Sequence, residues 1–231
     1  MRAGVESLTP YRLDPSTWLV LATAAVALVA VAADAVWRWS RNVVTIVHEA
    51  GHAVVALATG RRLTGIRLHS DTSGLTLSVG RPSGPGMVLT TAAGYLSPTF
   101  VGLVGVAVLT LEQVTIMLWV ATAILLGMLV MVRNAYGVLT ILATGAIVVA
   151  VSLYANADTQ AAFGHVAAWF LLFGGVRPVS ELWRERRRLR TRSTDADQLA
   201  RLTGVPGGVW VGLFAALTLA GLAAGAWLLL F

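Results

Sequence analysis

The chain has 231 residues, of which 57% are hydrophobic and 12% charged, against about 25% charged in ordinary soluble domains. With a mean hydropathy of +0.76 and no polar stretch long enough to enclose its own core, a soluble domain is excluded and a polytopic membrane protein is indicated. There is no cysteine, so disulfides and thiolate metal sites are excluded, and the formal charge of +6, from 17 arginines and no lysine, reads as membrane topology and not as nucleic-acid binding.

Residues 1–16 form a short polar lead carrying Arg2 and Arg12, and residues 17–36 form a first span of about the 20 residues a bilayer needs. This run exceeds the 7–15 residue apolar core of a signal peptide, so it reads as an uncleaved anchor. Asp34 lies four residues before Arg38, the spacing of a helical ion pair at the interface.

Residues 43–59 are the second span, VVTIVHEAGHAVVALAT. On a helix His48 and His52 lie one turn apart on the same face, where two imidazole nitrogens can converge on one Zn²⁺. Glu49 sits beside the first of them, placed to take a proton from a water on the metal. Charged groups deep in a bilayer are expensive, so this H-E-x-x-H pattern in an apolar run marks a functional site; the competing reading is a polar face that bonds to neighbouring spans. Ala50, Gly51 and Ala53 are small enough to admit neighbouring helices.

Between Arg61 and Arg81 the hydrophobic period changes from helical to alternating. Ile66 and Leu68, then Leu75, Leu77 and Val79, flank a Ser70–Gly74 turn and predict a β-hairpin, either a flap or an edge on which an extended substrate pairs. His69, within it, reads as a solvated histidine. Further spans are expected at 87–110, 114–132, 136–154, 161–176 and 209–231, making about seven transmembrane helices in one all-α domain with a short cytoplasmic hairpin. Residues 177–205 are expected to be a basic cytoplasmic loop, with Arg184, Arg186, Arg187, Arg188, Arg190 and Arg192 as the orientation signal and anionic-lipid contact as a secondary possibility. Threading back from that loop puts the N-terminus in the cytoplasm and the C-terminus outside, with Arg38 and Arg41 alone on the wrong side. Gly221-x-x-x-Gly225 fits a helix-packing face; oligomeric state is left open.

The chain resembles the site-2 protease family of intramembrane zinc metallopeptidases, in particular its compact bacterial branch without appended domains. The resemblance rests on His48-Glu49-Ala50-Gly51-His52 with its following hairpin, and on Ala93-Gly94-Tyr95-Leu96-Ser97-Pro98, similar to the family's small-residue Gly-Pro segment. It implies a multi-pass protein of a bacterial plasma membrane that cleaves transmembrane protein substrates within the bilayer, with His48 and His52 as zinc ligands and Glu49 as catalytic base. The family's third ligand is an Asp in an Asn-Pro-Asp-Gly type motif, and here Asn134-Ala135-Tyr136-Gly137 carries Tyr136 in its place. A neutral phenol is a poor zinc ligand. The branch also carries a Ser-Asp-Ala stretch before its last span, and Ser193-Thr194-Asp195-Ala196-Asp197 matches it, which maps the third ligand onto Asp195. Asp197, then Asp158 and Asp71, are the alternatives, and Thr194 with Asp197 alternatively reads as a helix capping box. His165 is expected to bond between helices. Tyr136 leaves open a non-catalytic membrane protein on the same scaffold; a small transporter would need paired interrupted spans or an internal repeat, and neither is seen.

Overall fold

A computed structural model describes residues 15–189 and 194–231; most of the polar lead, together with Arg190, Arg192 and Ser193, lies outside the described residues. In chain order the elements are α1 (Pro15–Ala32), α2 (Asp34–Ala58), β1 (Arg62–Leu68), β2 (Gly74–Val79), α3 (Pro85–Thr110), α4 (Val114–Met131), α5 (Ala135–Tyr154), α6 (Ala157–Leu189), α7 (Asp195–Thr203) and α8 (Gly207–Leu230). The architecture is an all-α polytopic membrane protein with one small antiparallel sheet. Helices α3, α4, α5, α6 and α8 are each long and apolar enough to cross a bilayer.

The first two expected spans are one bent unit. Ala33 takes an extended conformation, φ −77° and ψ 112°, and α1 and α2 diverge by 99°, so together they make at most a sixth crossing. The break orphans the last carbonyls of α1, and these find new donors. Ser40 Oγ donates to Ala30 O at 3.1 Å, and the Arg177 guanidinium donates to Val31 O. Arg177 also pairs with Asp34 and donates to Glu181 Oε1 at 3.0 Å. Glu181 accepts the Trp37 indole N–H at 2.9 Å and pairs with Arg41 at 3.4 Å. Asp34 therefore pairs across to α6 and not with Arg38 as the i, i+4 spacing predicts.

Helix α6 is 33 residues long and continues well past the expected end at residue 176. The expected basic loop 177–205 is therefore largely helical, as the end of α6 and as α7. Arg177, Glu181 and Arg186 allow the extension because each finds a counter-charge on its inward side.

Close contacts fix the helix directions. Built Cβ atoms at Gly102 and Gly164 would touch Leu172 and Leu109, so α3 and α6 run antiparallel; those at Gly221 and Gly225 would meet Thr99 and Leu103, so α8 runs with α3. Gly221 and Gly225 thus pack inside the bundle and offer no dimer face. The end of α1 meets Arg177 at Val31 O, while Val20 and Ala27, earlier in α1, share a core with residues 168–172, earlier in α6, so α1 runs parallel to α6. The start of α1 and the end of α8 lie at the same end of the bundle, as six crossings require, whereas seven put them at opposite ends.

In the hairpin Ile66 opposes Thr76 and Leu68 opposes Gly74, with Ile66 and Leu68 fully buried. The outer edge of β1 is occupied. Arg133 N donates to Ile66 O at 2.8 Å, and the Asn134 side-chain amide accepts from Leu68 N at 3.2 Å and donates to Leu68 O at 2.6 Å. Among the described residues no strand pairs with the outer edge of β2.

Candidate metal centre

His48 and His52 occupy successive turns of α2, and their Nε2 atoms lie 3.1 Å apart. The Asp195 carboxylate, at the first residue of α7, brings Oδ2 to 3.3 Å from each of them. For ligand distances of about 2.0–2.1 Å, two corners of a tetrahedron around zinc are separated by about 3.3 Å. The three atoms therefore outline one face of a tetrahedral coordination shell, and the donor set, two imidazoles and a carboxylate, fits zinc with a fourth position left for water or substrate.

The surroundings orient these donors. His52 Nδ1 is 2.7 Å from Thr90 O; a carbonyl only accepts, so Nδ1 carries the proton and Nε2 presents its lone pair to the centre. The His48 ring meets Tyr95 edge to face at 4.9 Å and 86°, and Tyr95 stacks on buried Phe214 at 5.2 Å. Helix α3 approaches α2 closely because Gly51 backs onto Ser97 and Gly94 onto both imidazoles, with no room at either for a Cβ.

Asp195 is delivered by the start of α7. Thr194 and Asp197 form the capping box, each side chain bonded to the other's backbone N–H, and Arg186 pairs with Asp197. Burial pushes the Asp195 carboxyl towards its neutral form, but the two imidazoles beside it outweigh this and hold the group well below the usual carboxylate range.

Glu49 is buried, 3% exposed, and offers a carboxylate oxygen within 4.8 Å of the imidazole nitrogens. Its Oε2 accepts from Thr76 Oγ1 at 2.6 Å. The other candidate residues lie elsewhere. Tyr136 donates its hydroxyl to Asn42 Oδ1 at 3.1 Å. Asp197 is spent on the cap, Asp71 accepts from Ser73 at the hairpin tip, and Asp158 is exposed at the start of α6. His69 Nδ1 lies 3.3 Å from Ser73 Oγ. His165 donates to Ala161 O of its own helix at 2.8 Å, not to a neighbouring one. Thr76, Thr90 and the contact of Tyr95 with His48 have no counterpart in the sequence reading, because a threonine hydroxyl or carbonyl that meets its partner across elements leaves no periodic or motif signal.

A multi-pass helical membrane protein with a His-Glu-His cluster and a third acidic donor belongs to the class of membrane-embedded metallopeptidase-like proteins. At the family level the match is to Peptidase M50B-like proteins over residues 21–225. The chain belongs to that family, within the site-2 protease group, whose members are zinc-dependent in general. No curated protein and no solved structure matches it.

Proposed function

We propose that the protein is an intramembrane zinc endopeptidase that hydrolyses peptide bonds of transmembrane protein substrates, with His48, His52 and Asp195 as ligands and Glu49 as catalytic base. The observation that carries this is the 3.1, 3.3 and 3.3 Å triangle of His48 Nε2, His52 Nε2 and Asp195 Oδ2, next to a carboxylate with no cation partner among the described residues. Zinc bound there would supply Lewis acidity, acidifying a water molecule and polarising a peptide carbonyl. Glu49 accepts the proton of the attacking water and returns it to the departing amine.

A helical substrate hides its carbonyls in i to i−4 bonds and must unwind to be cut. The Ile66–Thr76 and Leu68–Gly74 pairs turn the backbone groups of Gly74 and Thr76 towards the unpaired edge of β2. An extended segment paired there runs past Glu49, which lies against Gly74. The hairpin, α7 and the Arg184–Arg187 end of α6 face the cytoplasm of a bacterial plasma membrane by the positive-inside rule. With α1 and α2 as one crossing, Arg38 and Arg41 no longer violate that rule, and the N-terminus lies outside with the C-terminus.

The non-catalytic reading draws on Tyr136 standing where a ligand is expected; the Asp195 carboxylate of α7, 3.3 Å from both imidazoles, supports the catalytic reading instead. The test is zinc content and proteolysis of purified protein reconstituted with single-pass membrane proteins, products read by mass spectrometry. His48→Ala should lose zinc, and Glu49→Gln should keep zinc and lose cleavage. A wild type whose products match those of Glu49→Gln would rule out the hydrolase.

A further inference from the structure

Glu49 has a geometric difficulty that its motif does not resolve. Neighbouring helix positions point about 100° apart, so a residue at i+1 from His48 does not face what His48 faces. A flexible three-carbon side chain must then be held towards the imidazole pair by something outside α2. Thr76 of β2 does this. Its Oγ1 lies 2.6 Å from Glu49 Oε2 and 3.2 Å from Glu49 O, and its single proton goes to the shorter, charge-assisted bond. Gly74, two residues earlier on the same face of the strand, lies so close that a Cβ there would sit 2.6 Å from both Cγ and Cδ of Glu49. This closes the space into which the carboxylate would otherwise swing. The turn leading into the strand is tied to α2 one turn upstream of Glu49, where Thr45 Oγ1 donates to Thr72 O at 2.9 Å.

We propose that Thr76 is the positioning residue for Glu49: its hydroxyl holds Oε2 and so sets the orientation in which the carboxylate meets the proton of whatever occupies the metal's open position. This rests on the hydrolase reading above, and it assigns the hairpin a part in building the active site.

The probe is acetohydroxamic acid, which gives up its hydroxyl proton to the base beside the metal and binds as acetohydroxamate, titrated by visible absorption into the full-length protein loaded with Co²⁺ in detergent. Thr76→Val should bind Co²⁺ within about twofold of wild type and acetohydroxamate about tenfold more weakly, the effect of one charge-assisted hydrogen bond. Thr76→Ser should restore wild-type binding. In a Glu49→Gln background Thr76→Val should have no further effect, because the group it acts through is gone. An equal loss in that background, or no rescue by serine, would make Thr76 a packing residue only and overturn the proposal. So would a cobalt-loaded wild type that ignores acetohydroxamate. A wild type that binds no Co²⁺ overturns the metallopeptidase reading itself, a distinct outcome.

Discussion

Gly94 of α3 packs its backbone against the imidazole of His48 so closely that a Cβ in its place would lie 2.5 Å from Nε2, and would press on His52 Nε2 as well. The atoms it would displace belong to two side chains on a helix already fixed by Gly51 against Ser97. Gly94→Ala should therefore weaken zinc binding by more than the roughly 10–100-fold typical of supporting residues. Gly127→Ala, where no atom lies within 4 Å of the added Cβ, should leave it unchanged. Zinc affinity by competition with a chelator measures both, and a Gly94→Ala protein with wild-type affinity would mean the imidazoles are elsewhere.

Four carboxylates, Asp195, Asp197, Asp158 and Asp71, and the Tyr136 phenol compete on paper for the third ligand position. Asp195→Ala should lower zinc affinity by at least about 100-fold, since it removes a donor and not a supporting group. Tyr136→Phe should leave it within about twofold, because the hydroxyl faces Asn42. Reversal of that order in the same competition assay would return the ligand to the Asn134–Gly137 segment.

The bent α1–α2 unit predicts topology. The chain has no cysteine, so single introduced cysteines report sidedness cleanly. Thr17→Cys and Leu111→Cys should react with a membrane-impermeant maleimide from one side of intact cells, and Ser83→Cys from the other only after permeabilisation. Labelling of Thr17→Cys together with Ser83→Cys would restore a seventh crossing.

Helix α7 presents Asp195, and its start depends on the Thr194–Asp197 box. Thr194→Ala should cost about 1 kcal/mol at neutral pH. Burial raises the Asp197 pKa, but the Thr194 hydroxyl and Arg186 outweigh it, so the folded value lies below the usual carboxylate value. A depressed folded pKa means stabilisation that is present above the unfolded value, about 4, and is lost as pH falls through the folded one. The difference in thermal unfolding between wild type and Thr194→Ala, in detergent, should therefore shrink below about pH 4. A difference constant down to pH 2 would show that the carboxylate takes no part in the cap.

How much was legible beforehand follows from the range of each interaction. The membrane class, the apolar helices, the hairpin and the His48–Glu49–His52 cluster follow from composition and from periods of two and 3.6 residues, which are local properties of the chain. Only the resemblance points to Asp195, and no local signal marks the elbow at Ala33. Nothing in residues 32–34 breaks a helical pattern. The bend persists because Ser40 and Arg177, one on each side of the turn in space, cover the carbonyls it exposes.

The amino-acid sequence by itself determined that this is a multi-pass membrane protein in which any metal site must use histidine and carboxylate and not thiolate, since it holds no cysteine. Only the tertiary structure decided which carboxylate meets the two imidazoles, which hydroxyl steadies Glu49, and that the first two helices form a single bent crossing. Each of these depends on groups remote in sequence converging within about 3 Å, and such convergence is set by how helices pack and not by the pattern along any one of them.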